Sequence, residues 1–300
     1  APLLLLSLHY VEYNSGEASF LAARVLSREL ANYAESVETD FSRVLESSSR
    51  GAAVAAVNHV ISSGAPCDDS AEALEGLALY ADYGGEPSLL MAPSPQNNNS
   101  LFAWAARASN KGGYYGFNSS LEVTDFDVSQ KDSFTLGVSA EATLTAELPA
   151  YGLRLQRSFS ANATIPLQGV EDPLYPLESY GLVQRSISAN ESDVYGLDAF
   201  NGAVSSGVYW PSESGPCFLA RLEGSARPTE ECSGHGLASI VDLNEFIAQG
   251  IPLDEFDGKP VVDYLFFNET APAASRVDGA VFEWVELDSG SASLYGVELE

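Results

Sequence analysis

The chain of 300 residues carries 42 Asp or Glu against 14 Lys or Arg, a formal net charge of -28. Nucleic acid is thereby excluded as a partner, because gripping it requires Lys and Arg set against phosphates, and here they are few and scattered. With 45% hydrophobic and 10% aromatic residues the chain has what acidic disordered chains lack, so it folds around real cores, as one large domain or two of ordinary size.

In chain order, Leu3, Leu4, Leu5, Leu6 and Leu8 form an apolar opening too short to span a bilayer, which takes about 20 apolar residues. It reads as the end of a longer hydrophobic segment, a membrane anchor upstream of Ala1, with a buried helix start as the alternative. That the only Met is Met91 points the same way, toward a trimmed product. From Gly16 to about Glu46 apolar residues recur every three or four positions, among them Leu26, Leu30, Tyr33, Val37 and Phe41, while Arg24, Arg28, Glu29, Glu35 and Arg43 fill the opposite face. This predicts a long amphipathic helix, entered through Phe20 and with a cap or kink at Asn14-Ser15-Gly16. A second, Ala/Val-rich helix is expected over Gly51 to Ser62, and residues 1–64 form one N-terminal unit.

Residues 65–113 are expected to be loop and linker, since Gly84-Gly85, Pro87, Pro93, Pro95 and Asn97-Asn98-Asn99 cluster there. Over 114–168 the period changes to two. Phe117 to Val128, Phe134 to Leu148 and Leu153 to Ile165 alternate apolar and polar, which predicts a three-stranded antiparallel meander. Residues 169–300 read as a mixed α+β portion. Short strands are expected at Leu182 to Ile187, Val208 to Trp210, Val261 to Phe267 and Val281 to Leu287, and a helix at Ile240 to Gln249. The fold class is therefore α+β, a long N-terminal helix packed on an antiparallel β-sheet headgroup with a second mixed portion.

Chemistry-bearing motifs are missing. There is no Gly-x-Ser-x-Gly elbow, His-Glu-x-x-His pair or phosphate-binding Gly-rich loop. Of the three His, His9 and His59 lie in apolar helical surroundings and His235 sits in a polar loop without a nucleophile partner. Cys217 and Cys232 bracket a short loop, spaced for a disulfide in an exported domain, with Cys67 left over. A metal site using His235 and a set of unpaired buried thiols are the alternatives. No cofactor is expected. Calcium at Asp254, Glu255 and Asp257, or at Asp125 and Asp127, is a further metal alternative, although neither stretch has the spacing of the twelve-residue calcium loop. The triplet Asn-x-Ser/Thr occurs at Asn98, Asn118, Asn162, Asn190 and Asn268, against about two matches expected by chance. The excess predicts an extracellular, glycosylated cell-surface protein, and an acidic, Lys-poor surface suits such an exported chain or a saline medium alike.

The order of parts resembles archaeal type IV pilin-like proteins, in which an apolar N-terminal segment passes into a long amphipathic helix that packs against a mostly antiparallel β headgroup. Leu3 to Leu8, Phe20 to Val44 and Phe117 to Ile165 carry the likeness. The phrases at Gly169 to Tyr175, Phe218 to Gly224 and Val261 to Phe267 are similar to ones in archaeal surface proteins with pilin-type signal peptides. The resemblance implies a noncatalytic filament subunit that self-associates or joins other pilin-like subunits through its N-terminal helix. A tethered adhesive ectodomain and an extracellular hydrolase with paired carboxylates are the alternatives.

Overall fold

The computed structural model describes residues 2–94, 98–190, 192, 194–252 and 258–300, with side chains from residue 21 onward. Leu3, Leu4, Leu5, Leu6, Leu8 and Phe20 as side chains, and Asp254, Glu255 and Asp257 altogether, thus lie outside the described residues. The chain is mixed α+β, with a long N-terminal helix and small antiparallel sheets.

Helix α1 runs Pro2–Ser63, 62 residues. Neither Asn14-Ser15-Gly16 nor Gly51 ends it, so the separate second helix predicted from sequence is the continuation of the first. Gly51 serves another purpose, because a Cβ there would lie 2.7 Å from Sδ of the buried Met91. From Leu30 the buried positions follow one face, through Tyr33, Val37, Phe41 and Leu45 to Ala52, Ala56 and Val60.

Residues 65–113 are largely helical where loop was expected. Helix α2 (Ser70–Tyr80) starts at Asp69, whose side chain accepts from the Glu72 amide, and ends at Ala81 in the left-handed region. The paired dipeptides β1 (Asp82–Tyr83) and β2 (Glu86–Pro87) follow, then α3 (Leu101–Tyr114), capped by Ser100. Both helices are short and sit between Gly- and Pro-rich runs, which masked their period. They pack on α1: Ser48 Oγ donates to Ala78 O at 2.8 Å, and Tyr33 OH donates to Ala108 O at 2.8 Å.

The predicted meander forms as β3 (Asn118–Asp132), β4 (Thr135–Leu148) and β5 (Leu153–Pro166), in the order β3-β4-β5 and antiparallel throughout. In central β4, Leu136, Val138, Ala140, Ala142, Leu144, Ala146 and Leu148 are all buried, as period two requires. A register shift between Thr124 and Asp127, with Asp125 at φ 50°, is a β-bulge. Asp125 and Asp127 are both exposed there. The sheet carries α1 on its apolar face. Phe41 meets Phe159 of β5 edge-on, with centroids 5.4 Å apart, and stacks with Trp104 of α3 at 5.7 Å.

Beyond residue 168 the elements are short: α4 (Leu174–Glu178), α5 (Leu197–Ser206), β6 (Trp210–Pro211), α6 (Phe218–Leu222), β7 (Leu237–Ala238), α7 (Leu243–Ala248), α8 (Asp263–Phe266), β8 (Ser275–Arg276), β9 (Glu286–Leu287) and α9 (Ser289–Tyr295). Strands β6 and β7 pair with each other, as do β8 and β9. The helix expected at Ile240 to Gln249 is present as α7, with Asp242 as its cap. The strand expected at Val261 to Phe267 is instead largely helix α8. Val261, Val262, Phe266 and Phe267 are all buried, and a short, almost wholly buried run carries no period to tell strand from helix. Residues Leu182 to Ile187 contribute one bridge, Ser186 to Glu171, rather than a strand, and of Val281 to Leu287 only the last two pair. Two apolar clusters result. The larger joins α1, α2, the meander and α6, and the smaller gathers Phe200, Trp210, Val285, Leu287 and Tyr295.

Candidate functional site

The residues expected to serve assembly lie on α1, which divides into two stretches. Leu30, Tyr33, Val37 and Phe41 are buried inside this chain, and Leu26 is half-buried against the same core. At the surface of the packed stretch Arg157 of β5 meets Glu38 at 2.6 Å, an exposed pair worth roughly 0–1 kcal/mol. Over residues 21–29, by contrast, no side chain is fully buried. Leu21 is 60% exposed and Val25 58%, one helical turn apart on one face. Among the described residues no helix is long and apolar enough to cross a membrane.

Cys217 and Cys232 are joined in a disulfide, both fully buried and 15 residues apart, which removes the zinc alternative with His235. The bridge anchors the start of α6, and Cys67 is a free, buried thiol. Burial pushes the Cys67 thiol above its ordinary range, which keeps it unreactive. Without reduction, alkylation and intact mass should therefore find at most one modifiable Cys, and three would contradict the bridge. Reduction should lower stability by about 3 kcal/mol, the chain-entropy value for a 15-residue loop.

The five glycosylation triplets all reach the surface. Asn118 and Asn162 are exposed on β3 and β5, and Asn98, Asn190 and Asn268 are partly exposed in loops. Each of these last three accepts, through Oδ1, the backbone N–H two residues on, from Ser100, Ser192 and Thr270.

The strongest electrostatic feature was not legible in the sequence. Arg221 of α6 is fully buried between Asp172 and Asp263, with Nη1 2.5 Å from Asp172 Oδ2 and 3.0 Å from Asp263 Oδ2. Its Nη2 donates to Leu237 O at 2.7 Å. Each carboxylate is tied further: Asp172 Oδ1 accepts from the Leu174 amide, and Asp263 accepts from the Tyr264 amide and from Ser239 Oγ. Ser239 bonds Tyr175 OH, which accepts from Arg185, and Arg185 also donates to Ile240 O. Burial raises the Asp172 carboxyl above its ordinary range, the Arg221 charge offsets this in part, and the Asp263 charge adds to it. Burial likewise raises the Tyr175 and Tyr209 hydroxyls, so both stay neutral. With Asp172, Arg221 and Asp263 sealed from solvent, the network knots together α4, α6, β7 and α8 and offers a substrate no access to the charges.

His59 packs edge-on against Tyr83 at 4.6 Å, and the His235 backbone N–H donates to Cys232 O at 2.7 Å. Among the described residues no group of His, Cys, Asp and Glu could hold a metal ion. No protein-family model matches the chain, and comparison with curated proteins and with solved structures finds no match to either.

Proposed function

We propose that this chain is a noncatalytic extracellular surface protein, a pilin-like subunit of an archaeal cell-surface filament. In this reading the N-terminal helix assembles or anchors, and a glycosylated β headgroup faces solvent. The observation that carries it is the change along α1 at Leu30. Beyond that point the apolar face is covered by the chain's own sheet and helices, and before it Leu21 and Val25 stand open to solvent. Long helices draw most of their stability from packing an amphipathic face. A second copy of the chain supplies that packing for residues 21–29, and an upstream apolar segment would extend the seam. The surface triplets and the buried disulfide suit an oxidising, extracellular setting.

Sedimentation of the full chain against the double variant Leu21→Glu/Val25→Glu tests the assembly. The full chain should associate and the variant should stay monomeric, with helix content unchanged because both side chains are exposed. A full chain that is monomeric at every concentration overturns the reading.

A further inference from the structure

An open groove of about 310 Å³ lies between α1 and the β1–β2 hairpin. Ala55 of α1, Leu77 of α2 and, just beyond β2, Leu89 and Leu90 give it apolar walls. Leu89 and Leu90 are 79% and 54% exposed, two adjacent apolar side chains that the chain itself leaves uncovered. Its walls are already fixed. The Ser88 N–H donates to Ala81 O at 2.8 Å and closes the hairpin, His59 of α1 packs edge-on against Tyr83 of β1, and the Tyr83 OH accepts the Asp68 N–H at 3.4 Å.

The same chain carries a surface that suits this groove. Leu21 and Val25 stand exposed one helical turn apart, with the exposed side chains of Arg24 and Arg28 beside them. Of the chain's 14 Lys and Arg, two fall in residues 21–29 next to a single acid, Glu29, although the whole chain has a net charge of -28. The groove has the opposite sign, because among its described lining residues Glu86 is the only Asp, Glu, Lys or Arg, and it is exposed. An apolar pair flanked by positive charge thus faces an apolar groove flanked by negative charge.

The two surfaces cannot meet within one chain. Val25 and Asn58, which lines the groove, lie on one uninterrupted helix, about 50 Å apart at a rise of roughly 1.5 Å per residue. A helix does not bring its own tip onto its own flank, so the occupant comes from another copy. We propose that Leu21 and Val25 of one copy seat in the groove at Leu89 and Leu90 of the next, with Arg24 and Arg28 set toward Glu86. Two different patches make the contact, so each copy offers its tip to one neighbour and its groove to another, and assembly propagates instead of ending at a dimer. The inference rests on the filament reading and adds to it the receiving surface and a stagger of about 50 Å between parallel neighbouring helices.

Sedimentation at concentrations where the full chain assembles tests the pairing with two variants, Leu21→Glu/Val25→Glu in the tip and Leu89→Glu/Leu90→Glu in the groove. All four side chains are more than half exposed, so both variants should keep the helix content of the full chain. Each alone should be monomeric. Mixed in equal amounts they should form a one-to-one dimer and go no further, because the intact tip of the groove variant fills the intact groove of the tip variant and leaves only defective surfaces. The proposal is overturned if the groove variant assembles as the full chain does, or if the mixture stays monomeric where the full chain assembles, and the filament reading survives either result. A full chain that never associates overturns both.

Discussion

Replacing Arg221 with Met should destabilise the protein by about 3–5 kcal/mol, the cost of leaving buried charges without their counterion. Arg221 and both of its carboxylate partners have fully buried side chains, so water does not replace the lost guanidinium, and the neighbouring Arg185 offsets only part of the charge at Asp263. Burial already pushes the Asp172 carboxyl up, and Arg221 is the group that offsets this. Adding Asp172→Asn and Asp263→Asn should recover part of the loss. The amides keep acceptors for the Leu174 and Tyr264 N–H groups while removing the uncompensated charge. Urea unfolding reads both effects as shifts of the midpoint at constant slope. If Arg221→Met unfolds at the wild-type midpoint, the network contributes nothing to the fold.

Phe41→Ala should cost a similar amount, about 3–5 kcal/mol. The ring is fully buried where three elements meet, with α1 supplying it, β5 presenting Phe159 and α3 presenting Trp104. Leu21→Ala, on the same helix but 60% exposed, should change monomer stability by no more than about 0.5 kcal/mol. The contrast between the two positions, read by thermal or urea unfolding of the dilute protein, separates the helix stretch that serves the fold from the one left exposed. Equal losses at both positions would erase that division.

The parts of the fold that were legible are those with a sustained period. Seven buried positions recur at spacing two in β4, and the three-to-four spacing from Leu30 to Phe41 marks the face of α1 that packs. Helices α2 and α3 escaped notice because each is only a few turns long and lies beside turn-forming residues. Their caps, Asp69 and Ser100, were readable signals that the surrounding Gly and Pro outweighed. Gly51 looked like a helix break but marks a close approach by Met91, a fact of tertiary packing that local sequence does not carry. The disulfide was legible because its partners are only 15 residues apart. The Arg221 network joins residues 49 and 42 positions apart, and in a chain with so many carboxylates nothing local distinguishes Asp172 or Asp263.

Electron microscopy of the full chain under native, oxidising conditions tests the central claim most directly. The account predicts filaments or ordered oligomers in which Leu21 and Val25 are covered by neighbouring copies, and their loss in the Leu21→Glu/Val25→Glu variant. Dispersed single particles from the full chain and the variant alike would contradict it.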